Sequence, residues 1–332
     1  MQLDLIRPDA TATRPHQAAS GPTPSAPVPT IRPELYGWAL VTVLAAVDIV
    51  GFPLSGLGIA GRSLMLQIGT VGLMQGIAWF YRRLRRDAVI ATACENLALL
   101  YAFVGAAQAL DCVLVAHGGS FADVRLARLD AALGLDWPQA FAFMTAHPAI
   151  ARVLGLAYGS EFYQVIALPL LCLALRNTRL PRELTQTFLP AALASVLISG
   201  CVPALGAYVH YRVPGAETLN YVLQINGLRD GTLTRIDLLQ LEGLITFPSF
   251  HTALALLFIY VARGLPWALR LPLWILNGLI LLSVPVLGGH YFVDMLGGGL
   301  VAAGAIAVSR WFSARVGPRP ALQPGPVLST LA

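Results

Sequence analysis

Eight apolar stretches, at about 36–58, 63–81, 88–116, 149–175, 184–206, 250–263, 271–289 and 291–311, leave this chain few ways to fold. Most approach the roughly 20 residues a helix needs to cross the hydrocarbon of a bilayer. Hydrophobic residues make up 56% of the sequence and charged residues 12%, whereas a soluble domain carries about 25% charged residues. These features predict an all-α integral membrane protein with about eight transmembrane helices in one compact bundle. The first stretch contains Pro53 and several glycines and predicts a kinked or broken helix, while the sixth is short. Such irregularity is tolerated where neighbouring helices or a water-filled cavity satisfy the backbone. Residues 1–35 are rich in Pro, Thr, Ser and Ala and read as a disordered cytoplasmic tail. They lack the apolar region of a signal peptide. Residues 313–332 read as a second disordered tail.

The arginines give the expected orientation. All 22 basic residues are arginine. Arg82, Arg83, Arg85 and Arg86 follow the second stretch, and Arg176, Arg179 and Arg182 follow the fourth. Arg263 and Arg270 bracket the turn after the sixth, and Arg310, Arg315 and Arg319 follow the eighth. With the N-terminus inside, all of these fall on the cytoplasmic side, as the positive-inside rule requires. Residues 117–148, residues 207–249 and the Gly288–His290 turn then face the other side. The arginine excess is accounted for by orientation, so the basic charge does not imply nucleic acid. The expected partner is the bilayer itself.

Cys94, Cys112, Cys172 and Cys201 lie in apolar stretches at irregular spacing and read as small hydrophobes, neither a disulfide framework nor a zinc site. There is no Gly-rich nucleotide loop and no ligand spacing for a metal, so no cofactor is expected. Ser120–His147 mixes Arg125, Arg128, Asp130, Asp136 and Trp137 with leucines and alanines, which predicts an amphipathic helix in the outer interface. The segment 207–249 is long for a loop. Its second half, from Arg229 to Gly243, is patterned as a turn plus a short helix closing over a site.

That site is expected between Phe247 and Gly299. His251 follows Phe-Pro-Ser-Phe at the head of the sixth stretch, and His290 follows Gly288 and Gly289 at the head of the eighth. By orientation both open on the extracytoplasmic side. Asp294 lies four residues after His290, so in one helix the two share a face. A carboxylate beside an imidazole fixes its tautomer and stabilises its cation. An aspartate inside a span costs roughly 2.5–3.5 kcal/mol on insertion scales and marks function or a structural pair between helices. Pro248 suits a first helical turn, and Thr246 or Ser249 could cap it. The N–H groups of a helix start attract anions, and Gly289 allows close backbone approach. Arg229 and Arg235 carry forks that match phosphate oxygens, or else are solvated loop charges. Asp48, Glu95, Asn96, Asp111, Glu161 and Gln164 lie within apolar stretches; Glu161 and Gln164 share a face that could border a pocket, and the others read as ties between helices.

Pro248-Ser249-Phe250-His251, followed by His290 and Asp294 four apart, resembles the second and third signature motifs of the type 2 phosphatidic acid phosphatase superfamily. The resemblance implies a six-helix catalytic membrane core over 88–312, with 36–87 as two added N-terminal helices. The third motif usually begins Ser-Arg; here Ser283 is followed by Val284. The first motif usually places a basic residue seven positions before Arg-Pro, whereas Arg229 and Arg235 are six apart and Ile236 follows. His290-Tyr291-x-x-Asp294 is similar to the histidine–tyrosine motif of the inositol phosphorylceramide and sphingomyelin synthases.

The branch implies transfer of a phosphorylated head group between lipids without a cofactor. His290 would be the nucleophile forming a phosphohistidine, Asp294 its support, and His251 the acid and then the base. Arg229, Arg235, Ser249 and Gly289 would border the phosphate. The partners implied are membrane lipids, and the location a bacterial inner membrane with the site facing the periplasm. Two alternatives from the same residues are a lipid phosphate or prenyl pyrophosphate phosphatase, in which water is the acceptor, and a catalytically dead member. A third is a lipid or small-molecule transporter built on the polar residues of the spans.

Overall fold

The computed structural model describes residues 33–316. The expected tails lie almost wholly outside the described residues, helix beginning at Pro33 and ending at Val316. The helices are α1 (Pro33–Leu54), α2 (Gly61–Phe80), α3 (Ala88–Ala116), α4 (Asp123–Ala132), α5 (Trp137–Ala146), α6 (Pro148–Gly159) and α7 (Glu161–Ala174). They continue as α8 (Arg179–Cys201), α9 (Ala207–His210), α10 (Asn220–Asp230), α11 (Phe250–Ala262), α12 (Trp267–Leu287) and α13 (Phe292–Val316). Two dipeptide strands, β1 (Gly58–Ile59) and β2 (Arg235–Ile236), a π-helical turn at Tyr81–Arg85 and a 3-10 turn at Ala216–Thr218 lie between them.

The chain is an all-α integral membrane protein. Among the described residues, helices α1, α2, α3, α8, α12 and α13 are long and apolar enough to cross a bilayer, six, or seven if the sharply bent α5–α6 pair makes one span, where eight were expected. The stretch 149–175 is divided at Ser160 into α6 and α7. The stretch 250–263 is α11, which at 13 residues is about 20 Å long. Its shortness is tolerated because it touches protein on most sides: Ala253, Leu254, Ala255, Leu257, Phe258 and Val261 are all buried.

Helices α3 and α8 form the centre. Leu99, Leu100 and Phe103 of α3 meet Leu184 and Phe188 of α8 and Leu254 and Phe258 of α11 in the largest apolar cluster. Phe188 stands edge-on to both Phe103 and Phe250. Leu64, Met65, Ile68 and Leu73 of α2 are exposed, as suits a surface whose solvent is lipid. Between α2 and α3, Asp87 caps α3 by accepting from the N–H of Val89 and Ile90 at 2.9 and 3.3 Å. Those bonds, Ile90 first, and then Arg176 hold its carboxyl below the usual aspartate value.

The expected interfacial helix over 120–147 is instead two helices, α4 and α5, separated by a turn at Gly134. Asp136 caps α5 through Gln139 N–H at 2.9 Å, and α5 meets α6 at 108° across His147. The next residue is Pro148, and the position before a proline is pushed out of the helical region. The long segment 207–249 also departs from expectation: its helices, α9 and α10, are in the first half, and the second half carries only the dipeptide strand β2 among turns. There β2 pairs in parallel with β1 between α1 and α2, and Leu238 N–H donates to Ser63 Oγ at 3.3 Å. The second half is held by β1 and Ser63 on one side and by Asn220 and Gln224 of α10 on the other.

Candidate active site

The junction of α11 with α13 assembles the site. Ser249 is the cap of α11, its Oγ accepting from Thr252 N–H at 3.3 Å, so Pro248 lies before the cap and not in the first turn. Ser249 N–H donates to the Asp294 carbonyl at 3.0 Å, which fastens the two helix starts together. A Cβ on Gly298 would strike the Ser249 carbonyl oxygen and come within 2.9 Å of Thr252 Cβ, so α13 crosses α11 on bare backbone there.

His290 and Asp294 are both buried and face each other, Nδ1 to Oδ2 at 3.3 Å. The same oxygen accepts from Tyr291 N–H at 2.8 Å. With Nδ1 turned to the carboxylate, Nε2 of His290 is the nitrogen left for chemistry. The His251 ring lies 5.9 Å from the His290 ring between centroids. Tyr158 of α6 stacks on His251 at 4.6 Å, and Phe162 of α7 stands edge-on at 5.3 Å. Glu161 Oε2 is 3.9 Å from His251 Nε2. The three residues expected to carry chemistry are therefore together.

Gly289 adopts φ +66°, and a Cβ there would lie 2.6 Å from the Tyr208 ring. Its carbonyl accepts from Ala207 N–H at 2.7 Å, so it links the His290 turn to α9. Arg229 and Arg235 are not brought to the histidines. Arg229 Nη2 donates to the Gly119 carbonyl at 2.6 Å, and the guanidinium lies over Phe121 at 4.1 Å. Arg235 is exposed in β2 and pairs with Gly58. Of the two arginines expected to border the phosphate, one meets a carbonyl and a ring and the other lies on the strand pair. Val284, at the usual arginine position, is fully buried with Ala157, Ala255 and Ile280.

Two aspartates of α4 hold the site from outside, a role that sequence reasoning missed. Asp130 accepts from Phe292 N–H at 2.9 Å and Val293 N–H at 2.8 Å, capping α13 from another helix. Burial raises its carboxyl above the usual value, and these two bonds oppose that. Asp123 accepts from Gly206 N–H at 2.8 Å and from the Tyr291 hydroxyl at 3.0 Å. The end of α12 is held as well: Trp137 Nε1 donates to the Pro285 carbonyl at 3.0 Å and the Tyr208 hydroxyl to that of Val286. The carbonyls of a last turn need such partners. Their only sequence signal is acidic and aromatic side chains in a segment facing the same side as the histidines.

Of the other polar residues in the apolar stretches, Glu95 pairs with Arg82 at 2.7 Å, and Gln164 accepts from Asn277 at 2.8 Å. Among the described residues no group of three or more His, Cys, Asp or Glu is placed to hold a metal ion.

An all-α membrane bundle with two facing histidines, one backed by an aspartate, is a fold and site suited to phosphoryl chemistry at a bilayer surface. The sequence model of the PAP2 superfamily matches residues 124–308, more than half of the chain, and the chain belongs to that superfamily. The matched stretch contains His251, His290, Asp294, Glu161 and Asp130, and leaves α1, α2 and α3 outside. Members of the superfamily are phosphatases and phosphotransferases, which places this chain among the enzymes of phosphoester chemistry. Searches of curated proteins and of solved structures return no match.

Proposed function

We propose that the protein transfers a phosphorylated head group between membrane lipids through a phosphohistidine on His290. The observation that carries this reading is the His290–Asp294 contact at 3.3 Å with the His251 ring 5.9 Å away. Nε2 of His290 attacks phosphorus, and the N–P bond forms as the P–O bond to the donor lipid breaks. His251 gives the departing oxygen its proton. In the second half His251 takes the proton of the acceptor hydroxyl, whose oxygen displaces His290. Asp294 stabilises the histidine as it becomes cationic.

Transfer is favoured over hydrolysis of a monoester by what surrounds phosphorus. A phosphomonoester carries more negative charge than a diester and calls for more cationic support. Val284 stands where the superfamily usually has arginine, and Arg229 and Arg235 are engaged elsewhere. The Ser249 hydroxyl and the N–H groups that follow it at the head of α11 remain as donors near the pair, those of Tyr291, Phe292 and Val293 being held by Asp294 and Asp130. The second reading is a lipid phosphate or prenyl pyrophosphate phosphatase, with water as acceptor. The location that fits either is a bacterial inner membrane, with the site opening to the periplasm as the arginine distribution has it.

The test is purified protein supplied with phosphatidic acid, with a prenyl pyrophosphate, and with phosphatidylinositol plus a lipid alcohol, beside His290→Ala. A new phosphodiester lipid that disappears in the mutant supports transfer. Free phosphate that disappears replaces it with the phosphatase reading. Product formation indifferent to the mutation removes the phosphohistidine, and no product at all leaves the catalytically dead member and the transporter.

A further inference from the structure

The first turn of α7 sets Glu161 against His251, and its carboxylate has no hydrogen-bond partner. The side chain is fully buried, and neither oxygen is hydrogen-bonded among the described residues. An unpaired buried carboxylate is a costly thing for a fold to hold. Its nearby charge partner is His251 Nε2 at 3.9 Å, about 1 Å beyond hydrogen-bond length. Packing between helices does not account for it. One turn further along α7, Gln164 accepts from Asn277 of α12 at 2.8 Å, and that pair ties the helices without engaging Glu161.

Tyr158, Glu161 and Phe162 are three and four positions apart across the α6–α7 junction and all address His251. A ring face attracts a cation, and a carboxylate attracts it more strongly. Burial by itself disfavours a charged imidazole, and these three groups oppose that effect. The titratable groups facing His251 are Tyr158 on α6, Glu161 on α7 and His290, with Asp294 behind it at the head of α13.

We propose that Glu161 is the positioning residue of His251, so that the site holds two histidine–carboxylate couples, Asp294 with His290 and Glu161 with His251. The inference rests on the acid–base role assigned to His251 above. With Glu161 beside it, His251 holds a proton before attack and gives it to the departing oxygen as the N–P bond forms and the P–O bond breaks. The neutral imidazole left beside a buried carboxylate then draws a proton from the acceptor hydroxyl. Glu161 touches neither lipid and forms no bond to phosphorus.

The experiment uses full-length protein in detergent, labelled with 15N-histidine, as wild type, Glu161→Gln and Glu161→Asp. The His251 ring signals, assigned by their loss in His251→Gln, are followed from about pH 5 to about pH 9, the range in which imidazoles titrate. Helical circular dichroism and a single elution peak establish that each variant is folded. In wild type the imidazolium signals of His251 are expected to persist to higher pH than in Glu161→Gln by about one unit, with Glu161→Asp between them. Turnover is measured on the same samples with the phosphoester lipids named above. The expected loss in Glu161→Gln is about tenfold or more in kcat, with KM little changed and part of the rate recovered in Glu161→Asp. Unshifted His251 signals in folded Glu161→Gln overturn the proposal whatever the turnover. Equal losses in both variants without a shift mark a packing residue and overturn it too. A shift in protein that turns over none of the lipids supports the couple and overturns the reaction assigned to it.

Discussion

Asp130 caps α13 from a distance of 162 residues in sequence, accepting the N–H of Phe292 at 2.9 Å. It also takes the next N–H, that of Val293, at 2.8 Å. Those are the first free donors of the helix whose start carries His290 and Asp294, and free donors at a helix start must find an acceptor. Asp130→Ala leaves both without one. The expected cost is about 1–3 kcal/mol, read as a lower melting temperature in detergent. Turnover should fall further than that figure implies, since the His290 turn loses its outer support. Asp130→Asn keeps an acceptor oxygen and should recover part of both.

Asp294 is a sharper case, because its charge and its hydrogen bonding separate. Asp294→Asn retains an oxygen that can accept from Tyr291 N–H, as Oδ2 does now at 2.8 Å. It cannot supply the charge that stabilises a cationic His290. Turnover should fall by about 10²–10⁴-fold while the melting temperature moves little. A large stability loss with residual turnover above a tenth of wild type would instead assign the pair to helix packing.

The arginine usual to the superfamily motif should not be restorable here. Val284 is fully buried and packs with Ala157, Ala255 and Ile280. Val284→Arg would force a longer, charged side chain into that cluster, and an unpaired buried charge costs several kcal/mol. Low expression or early melting of Val284→Arg is the expected outcome, with Val284→Ile, which keeps the apolar contact, close to wild type. A stable Val284→Arg protein with faster phosphate release would show that the cluster can open, and would favour the phosphatase reading.

Apolar runs near the length of a bilayer made the long helices legible, since few soluble segments look like them. The run that became α11 was harder to read. Its 13 residues give a span-like composition, and only its burial against α8, α12 and α13 shows that it need not meet lipid along its length. His290 and Asp294 were legible because i and i+4 is a local relation. Asp123 and Asp130 were not, because their partners, backbone N–H groups and the Tyr291 hydroxyl, lie 82 to 168 positions away. Nothing in a sequence of aspartates and arginines at amphipathic spacing announces such partners. The surroundings of Arg229 were illegible for a similar reason: its near-motif spacing from Arg235 pointed to phosphate, while its contacts with Gly119 and Phe121 are tertiary.

The distance between the two histidines depends on how closely α13 approaches α11, and Gly298 sets that approach. A Cβ there would meet the Ser249 carbonyl oxygen, and Thr252 Cβ would be 2.9 Å away. Neither can swing aside, since one is backbone and the other is a branched side chain inside α11. Gly298→Ala must therefore push the helices apart and strain the Ser249 N–H bond to the Asp294 carbonyl, now 3.0 Å. Overpacking of this kind costs about 1–3 kcal/mol, and a displacement near 1 Å at a reacting centre costs about 100-fold in rate. Gly304 lies further along α13 with nothing within 4 Å of its Cβ position, so Gly304→Ala is the matched control and should leave both quantities near wild type. Melting curves and turnover for the two variants check this. A Gly298→Ala protein as active as Gly304→Ala would mean that the crossing does not set the spacing of His251 and His290.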